Sequence, residues 1–270
     1  MSAREPVINS RDNQLVRAAR AVRDGKQREL IFIEGARLCY EATRAGLVID
    51  TAFLTEQFMS EPRHAGLVQA LSETAGRVRT LSEQVFDSIS DTKTPQGVVL
   101  LARRPSTQMD VIENAIEKSP LLVVLHRVGN PSNAGSILRT AEAAGACGAI
   151  TTVGSIDIFS PKALRGAMGS SFRLPVWTGA DYAESLAWCR ARGITIVATD
   201  VRAARSYSDF DWTNPAALVV GAEASGLTID EAAQADEAVR IPMRAPVESL
   251  NVGVATAVVL YEAMRQRRGL

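Results

Sequence analysis

Short apolar runs rich in β-branched residues recur along this chain, each separated from the next by a segment of helical periodicity, and no other feature restricts its fold as much. In the first hundred residues "NQLVRAARAVRDG" has the spacing of an amphipathic helix and precedes the strand-like run "LIFI" at 30–33. A helix over 36–45, "TAFL" at 51–54, a helix near 63–75, "RVRTL", a short helix at 82–88 and "GVVLL" at 97–101 follow. The alternation restarts with "LLVVL" at 121–125, a helix from about 133, "GAITTV", and helices at 161–168 and 181–191. It continues through "ITIVAT" (194–199), "ALVVG" (217–221) and "AVRIP" (238–242) to an apolar helix from about 249 to 266. Runs this short and apolar, set between helices, are expected to be parallel strands covered on both faces. Between the two series, "ARRPSTQMDVIENAIEKSP" (102–120) is polar, holds two prolines and has room for one short amphipathic helix. The expectation is an α/β chain: a small N-terminal domain over 1–102, a linker over 103–118 and a second domain over 119–270.

A chain of 270 residues can bury the cores of two such domains. Its 30 basic and 30 acidic residues cancel, so net charge points to no polyanionic partner. The local distribution says more. Residues 11–28 carry Arg11, Arg17, Arg20, Arg23, Lys26 and Arg28 against only Asp12 and Asp24, a pattern that suits either a solvated helix face or contact with nucleic acid. Cys39, Cys147 and Cys189 lie far apart without metal-ligand or redox-motif spacing, and His64 and His126 are the only histidines. No metal site is expected. "MSAREPVINS" has no apolar signal region and no run approaches ~20 apolar residues, so a cytoplasmic protein without membrane contact is expected.

In α/β sheets ligands bind at the carboxyl ends of strands, which directs attention to the loops after 125, 221 and 242. In "NPSNAGSILRTAEAAGA" (130–146), Pro131 and Asn133 suit a helix start and Gly135 allows close approach. Arg139 lies off the apolar face formed by Ile137, Ala141 and Ala144, and a helical side chain leaning towards the N-terminus could reach the loop mouth. By itself it is more readily a plain surface arginine. "LVVGAEASGL" (218–227) places Gly221, Glu223 and Gly226 in one turn; no Lys-Ser/Thr follows, so it is not a phosphate-binding P-loop. An acid at 223 should need a cation to offset its burial. In "IPMRAPVESLNVGVATAVVLYE" (241–262), Glu248, Ser249 and Asn251 stand at the mouth of an apolar helix, with Ser249 the default N-cap and Asn251 expected inside, its amide partly buried.

These three stretches resemble, in order and spacing, the three motifs of the SpoU (TrmH-like) RNA ribose 2′-O-methyltransferases. "SRDNQLVRAARAVRDGKQRELIFIEGARL" and "FDSISDTKTPQGVVLLA" resemble the substrate-binding domain, similar to a ribosomal-protein RNA-binding fold, that precedes the catalytic domain in many members. The resemblance implies a SPOUT α/β domain with a deep trefoil knot, S-adenosylmethionine (SAM) bound in the knot, an RNA substrate and a homodimer. Carried over by position, Gly221, Ile241, Met243, Ser249 and Leu250 would hold SAM. Asn133, Arg139, Glu223, Ser249 and Asn251 would form the catalytic and positioning set, with Glu223 holding Arg139. Arg17, Arg20, Lys26 and Arg28, together with Arg165 in "SPKALRGAMGSSFRLPV" (160–176), would contact RNA. The chain departs from the family pattern at Ala222, where Asn is frequent, at Gly253 for Ser, at Ala245 for Gly and at His126 for an acid; these bear on substrate choice more than on catalysis.

The resemblance implies methyl transfer to a ribose 2′-hydroxyl, with 23S rRNA the expected substrate because a domain of this N-terminal type is more usual among rRNA enzymes than tRNA enzymes. A guanidinium is not readily deprotonated, so Arg139 is expected to bind a flanking phosphate and stabilise the growing alkoxide rather than act as base. A tRNA 2′-O-methyltransferase and a non-catalytic RNA-binding protein are the alternatives. A Rossmann-type enzyme would need a Gly-rich fingerprint that "LHRVGNPSNAGS" lacks.

Overall fold

The structure, a computed structural model, describes residues 6–116 and 118–269; Glu117, in the expected linker, and the outermost residues of the two expected domains (1–5 and 270) lie outside the described residues. In chain order the elements are α1 (Gln14–Arg23), β1 (Leu30–Glu34), α2 (Ala36–Arg44), β2 (Ile49–Thr55), α3 (Glu56–Ser60), a 3₁₀ turn (Pro62–His64), α4 (Ala65–Thr74), β3 (Arg77–Leu81), α5 (Glu83–Ile89) and β4 (Val98–Arg103). There follow α6 (Met109–Glu113), β5 (Leu121–Leu125), α7 (Pro131–Ala143), β6 (Gly148–Thr152), α8 (Pro161–Ala167), α9 (Ser170–Arg173), β7 (Val176–Ala180) and α10 (Tyr182–Arg190). The chain closes with β8 (Thr195–Thr199), β9 (Arg205–Ser206), β10 (Ala216–Val220), α11 (Ile229–Ala232), β11 (Glu237–Arg240) and α12 (Val252–Arg268). Two compact units result: the chain up to Pro105 with Phe159–Phe172, and Ser106–Ile158 with the chain from Arg173 onward. The segment 159–172 thus packs with the first unit, whereas the contiguous sequence division had it in the second. Buried Ala163, Leu164 and Ala167 of α8 explain this placement, because α8 lies against β1.

The first unit is a four-stranded sheet in the order β1-β4-β2-β3. Here the expectation of parallel strands fails: β4 is antiparallel to both β1 and β2, and only β2 and β3 run parallel. The reason is positional. Inserted between two neighbours, Val98–Ala102 are buried on both faces whichever way the strand runs, so the apolar run carries no direction. On α1, Val16, Ala19 and Val22 form the buried stripe that packs with Phe32, Phe53 and Phe86.

The second unit is a wholly parallel seven-stranded sheet, β7-β6-β5-β10-β8-β11-β9. Central β5 and β10 are buried at every position. Because all strands point the same way, their carboxyl ends share one edge. β8 sits between β10 and β11, so the loops after residues 199, 220 and 240 emerge side by side, and β5 delivers 126–130 next to the loop after β10. At the sheet's other flank, Trp177 and Trp188 pack edge to face at 6.1 Å, and burial pushes the Cys189 thiol up to about 12. Cys39 is also buried; Cys147 is only half-buried. Among the described residues no helix is long and apolar enough to cross a membrane, and no cluster of His, Cys, Asp or Glu could hold a metal ion.

Candidate active site

One cleft of about 590 Å³ opens at this sheet edge. Its wall on one side is the turn Gly221–Thr228; on the other it is Ile241, Met243, Glu248, Ser249 and Leu250. All five residues expected to hold SAM, Gly221, Ile241, Met243, Ser249 and Leu250, line it, and Glu223 does too. Gly221 is fixed by packing. A Cβ there would stand 2.3 Å from the Gly226 carbonyl carbon and 2.6 Å from the Leu227 nitrogen, because Ala222 and Gly226 bridge back on each other, Gly226 N–H donating to the Ala222 carbonyl at 2.8 Å. Gly226 supplies the left-handed turn of that bridge, with φ of +62°.

Of the three loops the sequence pointed to, those after β10 and β11 line the cleft and the one after β5 does not, while a further loop contributes. Thr199 at the end of β8 and Asp200, Val201 and Arg202 after it also line the cleft. Asp200 accepts from the Arg202 guanidinium at 2.9 and 3.0 Å, and that hydrogen bond, above the opposing effect of burial, holds its carboxyl below the usual range. The rule that ligands meet strand carboxyl ends applied equally to "ITIVATDVR"; the absence of glycine or asparagine after this strand is what hid it.

Glu223 does not hold Arg139. Its carboxylate accepts from Gly129 N–H (3.2 Å), Asn130 N–H (2.9 Å) and Asn133 Nδ2 (3.1 Å). Burial opposes the charge, but these hydrogen bonds, led by that from Asn133, hold the carboxyl below its ordinary range. The acid therefore satisfies amide donors at the start of α7 rather than a cation. Asn130 is the N-cap there, accepting from Ser132 and Asn133 N–H, and Pro131 occupies the first turn.

Asn251, expected inside a helix, is itself the N-cap of α12: Oδ1 accepts from Gly253 and Val254 N–H, and the side chain is exposed rather than partly buried. An asparagine oxygen reaches those two amides from one position, which leaves Ser249 outside the helix on the cleft wall. The Asn251 amide then donates to Asn133 Oδ1 at 3.1 Å. A continuous chain Asn251–Asn133–Glu223 thus ties all three loops together. Gly253 lets α12 approach α7 here, since a Cβ would lie 2.8 Å from Ser136 Oγ.

Arg139 is exposed and makes no hydrogen bond or ion pair with any described residue. Among the expected RNA contacts, Arg17, Lys26 and Arg28 are exposed, Arg20 is half-buried and bonds the Arg11 carbonyl, and Arg165 pairs with Asp91 at 2.7 Å. Arg23, singled out only as part of the basic stretch, donates to the carbonyls of Ser88, Ile89 and Ser90 and so serves the end of α5.

Sequence reasoning also missed a buried network beside the cleft. His126 Nδ1 meets Thr152 Oγ1 at 3.0 Å and its Nε2 meets Glu231 at 3.1 Å, while Tyr182 packs on the ring at 4.1 Å. Glu231 also takes Arg127 and closes a capping box with Thr228. Burial acts against its charge, yet the hydrogen bonds from Thr228 and His126 bring it to about 2. The signal was present: His126 is the first polar residue after a fully buried strand.

The match with known proteins follows this geometry. Residues 120–261 match the SpoU rRNA Methylase family, and residues 13–100 the MRM3-like substrate binding domain. The chain belongs to the SpoU rRNA methylase family. It is 36% identical over 201 residues, 73% of this chain and 82% of the relative, to the 23S rRNA (guanosine-2′-O-)-methyltransferase RlmB of Bordetella pertussis. With the 23S rRNA (guanosine(2553)-2′-O)-methyltransferase RlmP of Bacillus subtilis it shares 27% identity over 94% of this chain and 97% of that one. The AdoMet-bound rRNA methyltransferase of Sinorhizobium meliloti superposes with a TM-score of 0.85 at 30% identity, covering 98% of both chains. The cleft of this SpoU methylase suits such a cofactor: apolar Ile241, Met243 and Leu250 offer a slot for an adenine ring, and the Gly221–Thr228 turn faces them with peptide groups.

Proposed function

We propose that this SpoU methylase transfers a methyl group from SAM to a ribose 2′-hydroxyl of 23S rRNA. The observation that carries the reading is that two of the three stretches line one cleft and the third is tied to them, Asn133 standing in hydrogen-bonded series between Asn251 and Glu223. Relatives named for 23S rRNA 2′-O-methylation support the substrate over tRNA. Action on ribosomal RNA would place the protein in the cytoplasm.

Gly221, Ile241, Met243, Ser249 and Leu250 hold the cofactor in this reading. SAM supplies a methyl already activated on a sulfonium, so the protein's task is to align the ribose oxygen and stabilise charge growing on it. Glu223, Asn133 and Asn251 keep the three loops in register. Arg139, exposed and unpaired within the subunit, binds a flanking phosphate and stabilises the developing alkoxide, the proton leaving to solvent or a phosphate oxygen. Ser249 orients the nucleotide at the cleft mouth. Arg17, Lys26 and Arg28 make the electrostatic approach to RNA; Arg20 and Arg165 contribute once their present partners yield. Val254 and Tyr261, seven residues apart on α12 and exposed, form the apolar face of a homodimer. The knotted chain path belongs to the same reading, as does a division of labour between residues 1–102 and 119–270 joined through 103–118.

The test is transfer of labelled methyl to 23S rRNA and to tRNA transcripts, alongside a map of 2′-O-methyl sites in rRNA from cells with and without the gene. One ribose of 23S rRNA is expected to lose its methyl. Transfer to tRNA alone, or RNA binding without SAM binding, would favour one of the two alternatives and refute the assignment.

A further inference from the structure

The first unit carries a cleft of its own, of about 420 Å³, that has no part in the methyl-transfer site. Its walls come from the start of α2, the end of β2 running through α3 into the turn at 61–64, Glu83 at the start of α5, and Pro95–Gly97. The last belongs to the segment "FDSISDTKTPQGVVLLA", which the catalytic reading leaves without a role.

The cleft is built before any ligand arrives. Glu34 is buried, and its carboxylate accepts from Asp91 N–H at 2.8 Å, Thr92 Oγ1 at 2.9 Å and Ser90 Oγ at 2.5 Å. That fixes the loop from α5 to β4. Gln96 Oε1 then accepts from Ala36 N–H at 2.8 Å, which joins the loop to the first turn of α2. At Gly97 the chain has φ of +82°, and a Cβ would stand 2.4 Å from Thr55 Oγ1, so glycine is required for the loop to lie this close. Opposite, the His64 ring lies flat on Phe58, centroids 4.0 Å apart and planes 10° from parallel.

The lining selects among ligands. Glu61 and Glu83 would repel a bare phosphate. Glu83, and Glu61 through the carboxylate oxygen that does not pair with Arg63 and His64, would accept hydrogen bonds from N–H groups on a base edge. Gln96, its oxygen committed to Ala36, keeps Nε2 as a donor that no described residue takes up. His64, backed by buried Phe58, gives a flat surface, and Arg37 and Arg63, with side chains 75% and 76% exposed, stand at the rim, where flanking phosphates would draw them from their ion pairs with Glu41 and Glu61. A π-face to stack, an edge carrying both donors and acceptors, and phosphates on either side are together the chemistry of a single-stranded nucleotide. We infer that this cleft holds one unpaired nucleobase of the RNA substrate, and so sets which RNA the first unit accepts. The inference rests on the reading of RNA as substrate and adds a base-reading site to the charge-based docking expected of α1.

Gln96 allows recognition to be separated from structure. Gln96→Glu keeps an oxygen for Ala36 N–H and removes the donor, whereas Gln96→Ala removes both. Binding of an in-vitro 23S rRNA transcript would be measured for wild type, both variants and Arg63→Ala, with melting temperature and SAM affinity in parallel. Gln96→Glu is expected to weaken RNA binding by a factor on the order of ten, the loss of one base-edge contact, while melting temperature and SAM affinity hold. In wild type, transcript carrying 4-thiouridine is expected to cross-link to peptides containing 57–64 or 95–97. Wild-type RNA affinity in both Gln96→Glu and Arg63→Ala would overturn the proposal. So would a defect confined to Gln96→Ala with a lowered melting temperature, which would make Gln96 a clamp for α2 only. A wild-type protein that binds the transcript without methylating it would count against the proposed reaction, yet the comparison of variants would still decide the base site.

Discussion

Gly221→Ala is the sharpest perturbation of the cofactor cleft, because its cost follows from geometry alone. The added methyl would face the Gly226 carbon at 2.3 Å, its oxygen at 2.5 Å and the Leu227 nitrogen at 2.6 Å, all of them backbone. No rotamer change relieves this. To restore ordinary contact the 226–227 backbone must retreat by about 1 Å, and the 2.8 Å bond from Gly226 N–H to Ala222 lengthens with it. Overpacking of this kind costs about 1–3 kcal/mol, and loss of one backbone hydrogen bond about 1 kcal/mol more. In a protein of this size that lowers the melting temperature by roughly 3–12 °C. The displaced backbone is itself the cleft wall, so SAM affinity should fall by a factor on the order of 10². Calorimetric unfolding and titration with SAM measure both. Gly226→Ala is the internal control. A Cβ there meets nothing within 4 Å, so only the left-handed φ of +62° penalises it, by about 1–2 kcal/mol. A Gly221→Ala protein with wild-type melting temperature and SAM affinity would refute the claim that this turn is packed too tightly for a side chain.

Glu223→Gln retains size but turns a donor towards one of the amides the carboxylate accepted; methyl transfer should fall by about ten-fold or more with a smaller loss of SAM affinity, as single-turnover assays would report. Arg139→Ala should melt and bind SAM like wild type yet transfer methyl on the order of 10² more slowly, with Arg139→Lys rescuing poorly because a point charge cannot grip both a phosphate and the attacking oxygen. Wild-type transfer by Arg139→Ala would return the residue to the plain surface arginine it resembles in isolation. Glu231, lowered to about 2 in the folded protein from an ordinary value of 4.5, contributes stability that is present in full above pH 4.5 and is lost as pH falls towards 2. Its side chain is 16% exposed, so the contribution is at most about 3 kcal/mol and smaller after screening; an acid unfolding profile of Glu231→Gln should be flatter than wild type across that window.

The order of elements was legible because burial writes itself into apolar runs, and burial was what those runs reported. They did not report direction, which is why β4 read as a parallel strand while lying antiparallel between two neighbours. β7, "VWTGA", went unseen because residues 178 and 179 are half-buried and exposed, which breaks the run. The segment 159–172 was assigned to the second domain by contiguity alone, and nothing in "SPKALRGAM" states which core its alanines and leucine enter. In the site, residue types were readable and partners were not. A glutamate inside a turn called for compensation, and a cation was the obvious source, yet three amide donors supply it.

That exchange of partners alters what the motifs are for. Had Glu223 paired with Arg139, acid and base would have formed a self-contained unit and the other polar residues would have been accessories. Instead the carboxylate serves the amide ends of the loop after β5, Asn133 relays to Asn251, and Asn251 caps α12. Each member satisfies a helix terminus or loop amide as well as its neighbour, so the chain costs little stability to maintain and sets the spacing of three loops at once. Arg139 is left outside it, exposed, with its whole hydrogen-bonding capacity available. In its proposed role as electrostatic stabiliser Arg139 would benefit from that arrangement: a guanidinium neutralised by a carboxylate would have to be prised away before it could meet a phosphate or a growing alkoxide, whereas an unpaired one needs only the substrate.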